Sequence, residues 1–249
     1  AVLITCNAAN QLPDTLAALS FAQEIIVLDS GSTDDTVALC QASGATVIHQ
    51  AWLGFGPQKQ MAISLAKHDW VLCVDSDEVV SPRLRNSIQN ALKAPSHHAY
   101  RFARCNYFMG RYLRHGEGYP DYNIRLFNRQ HAQWSDDAVH EHVLTHHPVG
   151  TLKGDLLHHS ADTLRHYLDK QNRYTDIQAQ QLYAKNKPIG ISKLCFSPLL
   201  RFIKFYFVKL GFLDGVAGLV HISIGCFNSF SKYAKTIEKQ KQNTSPPQH

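Results

Sequence analysis

The chain has 249 residues, 44% of them hydrophobic and 18% charged, with a formal net charge of +5. That is enough apolar material for one domain, or for one domain with an extension, and the mild basicity suits an anionic partner without specifying nucleic acid. The six cysteines (Cys6, Cys40, Cys73, Cys105, Cys195, Cys226) form no CxxC pair and several lie in apolar runs, which excludes a disulfide framework and predicts reduced thiols in a reducing cytosol. The opening Ala1-Val2-Leu3-Ile4 lacks a charged region, so no secretory signal is expected there.

In chain order, residues 2–6 read as a buried strand and 7–10 as a loop. Pro13 opens a helix to Leu19, a position where its missing N–H costs nothing. Residues 24–28 form a second strand that exits at Asp29-Ser30-Gly31. Ser32 and Asp35 have the spacing of a capping box for a helix over 34–42. Gly44 ends that helix, 45–49 make a third strand, 58–67 a helix and 70–74 a fourth strand. Short continuous apolar strands alternating with helices predict a parallel sheet covered on both faces.

The fourth strand ends in Val71-Leu72-Cys73-Val74-Asp75-Ser76-Asp77-Glu78, three carboxylates within four residues. Two acids spaced i, i+2 across a small residue can turn their oxygens toward one hard cation. Ligands of such sheets bind beyond the carboxyl ends of the strands, where Asp29, Asp75 and Asp77 all fall, so the three are expected to share a cleft.

Beyond Glu78 the pattern changes. Pro82–Lys93 reads as a helix, 98–108 as an antiparallel strand, 116–121 as a Gly- and Tyr-rich loop, and 124–127 as a strand. This half is rich in Arg, His and Tyr and is expected to face a second substrate. Its guanidinium groups, Arg101, Arg104, Arg111, Arg114, Arg125 and Arg129, suit an anionic one. The pairs His97-His98, His146-His147 and His158-His159 lack the ligand spacing of a closed zinc site and are read as non-metal. Residues 196–210 and 211–230 are apolar but interrupted by charges, which predicts helices lying in a membrane surface, with a core-packed helical pair as the alternative. The polar residues 236–249 are predicted to be disordered.

Several of these segments carry a resemblance. Residues 24–34 and Asp75-Ser76-Asp77-Glu78 resemble the family 2 glycosyltransferases. Tyr119-Pro120-Asp121, Arg125-Leu126-Phe127, Trp134, Val139-His140-Glu141 and residues 209–215 are similar to the bacterial branch that builds the lipopolysaccharide inner core. The resemblance implies the GT-A fold, a Rossmann-like mixed α/β sheet, over residues 1–190, with a nucleotide-sugar half at 1–95 and an acceptor half at 96–190. A membrane-associating helical extension at 191–235 would follow.

It further implies an inverting, Mg2+- or Mn2+-dependent transfer of a hexose, glucose from UDP-glucose, to a heptose of the anionic inner core. The setting is the cytoplasmic face of the inner membrane, with no nucleic acid partner. By the same resemblance Asp75 and Asp77 hold donor and metal, with His140 completing the metal shell. Asp29 recognises uracil or ribose, with Thr5 and Asn7 beside it. Glu141 is the acceptor's base, with Asp121 in reserve, and Arg101, Arg104, Arg114 and Arg125 meet the acceptor. Ser30 departs from the family, many of whose members carry a second Asp there. The alternatives are a polyprenyl-linked or capsule acceptor, or a non-catalytic carbohydrate-binding protein on the same fold. A nucleotidyltransferase is disfavoured, because residues 7–12 contain no glycine or cation.

Overall fold

A computed structural model describes residues 1–137, 141–159, 163–185 and 189–242. The chain forms two compact units, one of Ala1–Asn106 with Pro120–His159 and one of Tyr107–Tyr119 with Ser160–His249.

The first unit begins with β1 (Val2–Thr5), α1 (Leu12–Ala18), β2 (Ile26–Asp29), α2 (Thr36–Ala42), β3 (Thr46–His49), α3 (Phe55–Ser64) and β4 (Trp70–Leu72). It continues through β5 (Glu78–Val80), α4 (Pro82–Lys93) and β6 (Ala99–Phe108), whose last residues enter the second unit. β1, β2 and β3 are parallel, as the apolar runs predict. A parallel bridge between Val2 and Cys73 joins this sheet to β4.

Past β7 (Arg111–Tyr112), which pairs with the end of β6, come β8 (Asp121–Asn128), β9 (Ala132–Trp134), β10 (Val143–Thr145) and β11 (Val149–His158). The mixed sheet then runs β4-β8-β6-β11-β5, with β8 antiparallel to both neighbours and β11 parallel to β6. β9 and β10 form a separate antiparallel pair.

Side chains alternate between two buried faces, as a strand period of two requires. Leu3, Val27, Leu72, Phe102 and Leu126 pack with Leu12, Leu16, Leu84 and Ile88 on one face. Val2, Ile26, Leu28, Val71 and Phe127 pack with Ala62, Ile63 and Trp134 on the other. Gly154, at φ +104, sits where the β11 register shifts. A Cβ there would overlap the Leu84 backbone. The irregularity brings the Asp155 N–H to Ser81 Oγ at 3.1 Å, and that hydroxyl also caps α4 by accepting from the Leu84 N–H. Strand and helix are thereby stitched together, which fixes the course of β11 toward His158.

Some sequence expectations shift. α2 starts at Thr36, and the capping box does not form because Ser32 Oγ is drawn to Asp29, while Thr36 bonds Asp34. α3 starts at Phe55 rather than 58, because Gly54 at φ +101 turns the chain into it. β5 has three residues, too few for a periodic signal. The cysteines are free thiols, with Cys40, Cys73 and Cys105 buried.

The second unit adds α5 (Leu164–Ala184), α6 (Ile191–Phe202), a π-helical stretch Ile203–Val208, a 3-10 turn Gly211–Asp214 and α7 (Gly215–Gln242). Buried Asp214 accepts from the backbone N–H groups of Arg114 and His115, which ties the 107–119 segment to these helices. α7 continues past 236, where disorder was expected. Thr236 is buried and Lys235 reaches Asn172, Thr175 and Asp176 on α5, so packing holds that turn. Residues 243–249, the rest of the predicted tail, lie outside the described residues.

Candidate active site

The carboxyl ends of β1, β2 and β4 form one edge of the sheet. Asp29 closes β2 and is 4% exposed. Its carboxylate accepts from the Gly31 and Ser32 N–H groups at 2.9 and 3.0 Å and from the Ser32 hydroxyl. Asn7, at φ +51, accepts from the Thr33 N–H, so the loops after β1 and β2 brace each other. Thr5 Oγ1 is buried without a hydrogen-bond partner among the described residues, and such a group is a ready contact for a ligand. Ser30 Oγ accepts from the Gln58 amide at 3.1 Å, which gives that residue a structural partner of its own.

After β4 the three acids separate into different environments. Asp75 meets Lys59 Nζ at 3.1 Å and Arg125 Nη2 at 2.9 Å. Glu78 is fully buried, accepts the Asp75 N–H at 3.0 Å and meets the same Arg125 nitrogen at 3.3 Å. Burial alone raises the pKa of a carboxyl. At Asp75 the charges of Arg125 and Lys59 outweigh burial and hold it well below the ordinary range. At Glu78 burial, reinforced by the Asp75 charge, wins over Arg125 and the value is raised. Lys59 and Arg125 each leave only 6% of their side chains exposed, and both lie against the Trp134 ring, at 4.7 and 5.6 Å.

Lys59 is turned inward because the buried face of α3 runs through Lys59, Ala62 and Ile63, i, i+3 and i+4. A cation at the first position of an apolar stripe was the available signal, and reading the segment as an ordinary amphipathic helix missed it. Lys59 Nζ also holds Glu141 Oε1 at 3.0 Å. At Gly56, one turn earlier on α3, a Cβ would overlap the Ser135 carbonyl and meet the Glu141 Cβ, so a side chain would not fit.

Asp77 points to a different partner. Its Oδ2 lies 3.1 Å from His158 Nε2, at the end of β11, and His158 Nδ1 lies 2.8 Å from Asn106 Oδ1. Nδ1 faces the Asn106 amide oxygen and Nε2 faces the Asp77 carboxylate, so the ring is held in orientation between the two and Nε2 is the nitrogen that a cation beside Asp77 would meet. That is the outer-shell arrangement that orients an imidazole ligand. The sequence reading set His158 aside with the other histidine pairs, because its partner stands 81 residues away.

Of the other expected site residues, Glu141 lines a cavity of about 230 Å3 with Lys59, Tyr122, Arg125 and Trp134. Asp121, the reserve base, is half-buried and paired with Arg104 at 2.9 Å. Arg101 bonds Thr151 and lies over Tyr122. Arg104 also approaches Glu78, at 3.8 Å. Arg125, expected at the acceptor, lines the Glu141 cavity and is also the buried counter-ion of Asp75 and Glu78. Arg114 belongs to the second unit. His140, expected as a metal ligand, lies outside the described residues.

Removing one partner of a buried ion network leaves an uncompensated charge, which costs about 3–5 kcal/mol. Arg125→Met is therefore expected to lower stability by that order at neutral pH in urea denaturation. Asp75, with its folded pKa depressed, contributes stability that is fully present above about pH 4 and is lost as pH falls through its folded value. The deficit of Arg125→Met should accordingly shrink on acidification; a deficit independent of pH contradicts the assignment.

Compared with known proteins, residues 1–150 match the family model described as glycosyl transferase family 2. An uncharacterized glycosyltransferase of Rickettsia conorii is 29% identical, covering 96% of this chain and 89% of its own. The lipopolysaccharide core biosynthesis glycosyltransferase LpsC of Rhizobium meliloti is 28% identical, covering 99% and 94%. Among solved structures, the glucosyl-3-phosphoglycerate synthase of Mycobacterium tuberculosis, in complex with Mn2+, UDP and glucosyl-3-phosphoglycerate, is 25% identical over 43% of either chain, with a TM-score of 0.36. The family match takes in 150 of the 249 residues and every strand-mouth carboxylate described above: the chain belongs to glycosyltransferase family 2, and its mixed α/β sheet has the GT-A fold.

Proposed function

We propose that this glycosyltransferase moves a hexose, glucose from UDP-glucose, onto a heptose of the lipopolysaccharide inner core. The anomeric carbon inverts, and Mg2+ or Mn2+ assists. The observation that carries the proposal is the division of labour between two aspartates. Asp75 is engaged by Lys59 and Arg125, whereas Asp77 faces an imidazole nitrogen at 3.1 Å.

Neighbouring ligands of an octahedral ion with bonds of about 2.1 Å stand about 3 Å apart, so Asp77 and His158 fit as a pair of ligands. The donor set, one carboxylate and one imidazole, favours Mn2+ over Mg2+. A divalent ion held there supplies Lewis-acid neutralisation of charge on a departing diphosphate. Asp75 keeps the acidic loop in place through its two cations, and Thr5, Asn7 and Asp29 receive the nucleoside. Glu141 takes the proton of the attacking hydroxyl, with Lys59 fixing its orientation. Arg101 and Arg104 meet the anionic acceptor. The likeness to LpsC supports a lipopolysaccharide core acceptor.

A membrane-bound acceptor also accounts for the second unit. The buried positions of α7 include Ala217, Gly218, Gly225 and Ser229, whereas Val216, Phe227 and Phe230 are exposed, as are Leu200, Phe207 and Val208 before it. Small residues inside and large apolar residues outside reverse the order of a water-soluble bundle. The stretch 211–242 is also long and apolar enough, by length and composition, to cross a membrane. Lys204 and Lys209 among these residues suit anionic headgroups. We read the surface as resting on the cytoplasmic face of the inner membrane.

Release of UDP from UDP-glucose, with a heptose-terminated lipopolysaccharide acceptor and Mn2+, tests the chemistry. Asp77→Ala and Glu141→Gln are each expected to lower kcat by about 100-fold or more. Full turnover in Asp77→Ala would refute the metal assignment, and full turnover in Glu141→Gln the base. For the membrane, Phe207→Ser with Val208→Ser and Phe227→Ser should reduce flotation with anionic vesicles several-fold. Unchanged flotation would mean that this face does not bind lipid.

A further inference from the structure

At the end of the sheet opposite the acidic edge, three histidines from distant parts of the chain converge. His98 immediately precedes β6, His131 is in the turn between β8 and β9, and His147 is in the turn between β10 and β11. Their ring centroids are 3.9, 4.6 and 5.0 Å apart, and one ring nitrogen from each lies within 4.8 Å of the others.

The backbones beneath them are fixed. Asn128 donates its N–H to the His98 carbonyl at 2.9 Å, and His131 donates its N–H to the Asn128 carbonyl at 3.0 Å. The Thr145 hydroxyl donates to the His131 carbonyl at 3.0 Å and accepts from the His147 N–H at 3.2 Å. Four hydrogen bonds thus hold three turns in the register that brings the rings together. We propose that His98, His131 and His147 form a second metal site, for a zinc-class transition ion, that clasps these three turns.

The donor chemistry selects the ion. The cluster contains only imidazoles and no carboxylate, which suits Zn2+, Ni2+ or Cu2+ and disfavours Mg2+, Ca2+ and Mn2+. Tetrahedral Zn–N bonds of about 2.0–2.1 Å require ring nitrogens about 3.3 Å apart, within reach of small side-chain rotations from the separations present. All three side chains are exposed, so an ion has a path in and its fourth position opens to water. β11 runs from beside His147 to His158, and ten residues at about 3.3 Å each separate the two sites by about 30 Å, so this ion cannot serve the donor.

The test is calorimetric titration of zinc chloride into tag-free, chelator-stripped protein carrying Asp77→Ala, which removes a ligand of the strand-mouth site. One equivalent is expected to bind, and adding His131→Ala should weaken that binding at least tenfold. The Asp77→Ala protein should melt at a higher temperature with zinc present, and adding His131→Ala or His147→Gln should abolish that shift; in the otherwise unaltered chain the same two substitutions should leave UDP release intact. Co2+ supplies a second readout, because tetrahedral nitrogen ligation gives intense visible absorption that either histidine variant should lose. Zinc binding, melting shift and cobalt spectrum all unchanged by both variants would overturn the proposal, as would failure of the Asp77→Ala protein to bind zinc. Because the readout is binding of the metal alone, failure here leaves the proposed transfer reaction standing, and failure of that reaction leaves this site standing.

Discussion

The site depends on two cations buried under three carboxylates. Lys59 and Arg125 are almost wholly withdrawn from water, and between them they engage Asp75, Glu78 and Glu141. A charge so placed is tolerated only when its partners are present and well oriented. The network therefore behaves as a unit, linking α3, the loop after β4, β8 and the segment at Glu141. Its consequence for chemistry is selective. One aspartate of the Asp75-Ser76-Asp77 motif is engaged by both cations, and the other faces His158.

Much of this was legible in the sequence. The strand-helix alternation, the parallel order of the first strands and the position of Asp29, Asp75 and Asp77 at their carboxyl ends follow from apolar patterning and the rule for ligand sites in α/β sheets. What patterning could not supply was partnership across the chain. Lys59 looks like any helical lysine until Ala62, Ile63 and Ala66 are known to face inward. His158 gains a role only when β11 is laid parallel to β6, and nothing local announces β11 as a strand ending at the site. Arg125 was visible as a cation in the acceptor half, but its burial against Trp134 and its pairing with Asp75 and Glu78 were not.

The second unit shows the same limit in another form. Composition gave an apolar, cation-studded extension, and two readings were compatible with it. The structure shows α7 buried on its glycines and small residues, with aromatic and branched side chains turned outward. Close backbone approach explains why Gly218 and Gly225 stand where they do: a Cβ would overlap the Gly211 carbonyl in one case and the Glu117 carboxylate in the other. Glu117 in turn is paired with Arg201, so polar groups hold the interior of a bundle whose outside is apolar.

The central claim is that Asp77 and His158, rather than Asp75, present the ion that the donor diphosphate requires. It is tested most directly by calorimetry of UDP binding to wild type and His158→Ala, each with and without Mn2+. Mn2+ is expected to tighten UDP binding to the wild type by about tenfold or more, and His158→Ala to lose most of that gain while its metal-free affinity stays within about twofold. A His158→Ala protein that keeps the full Mn2+-dependent gain would show that the ion is held elsewhere.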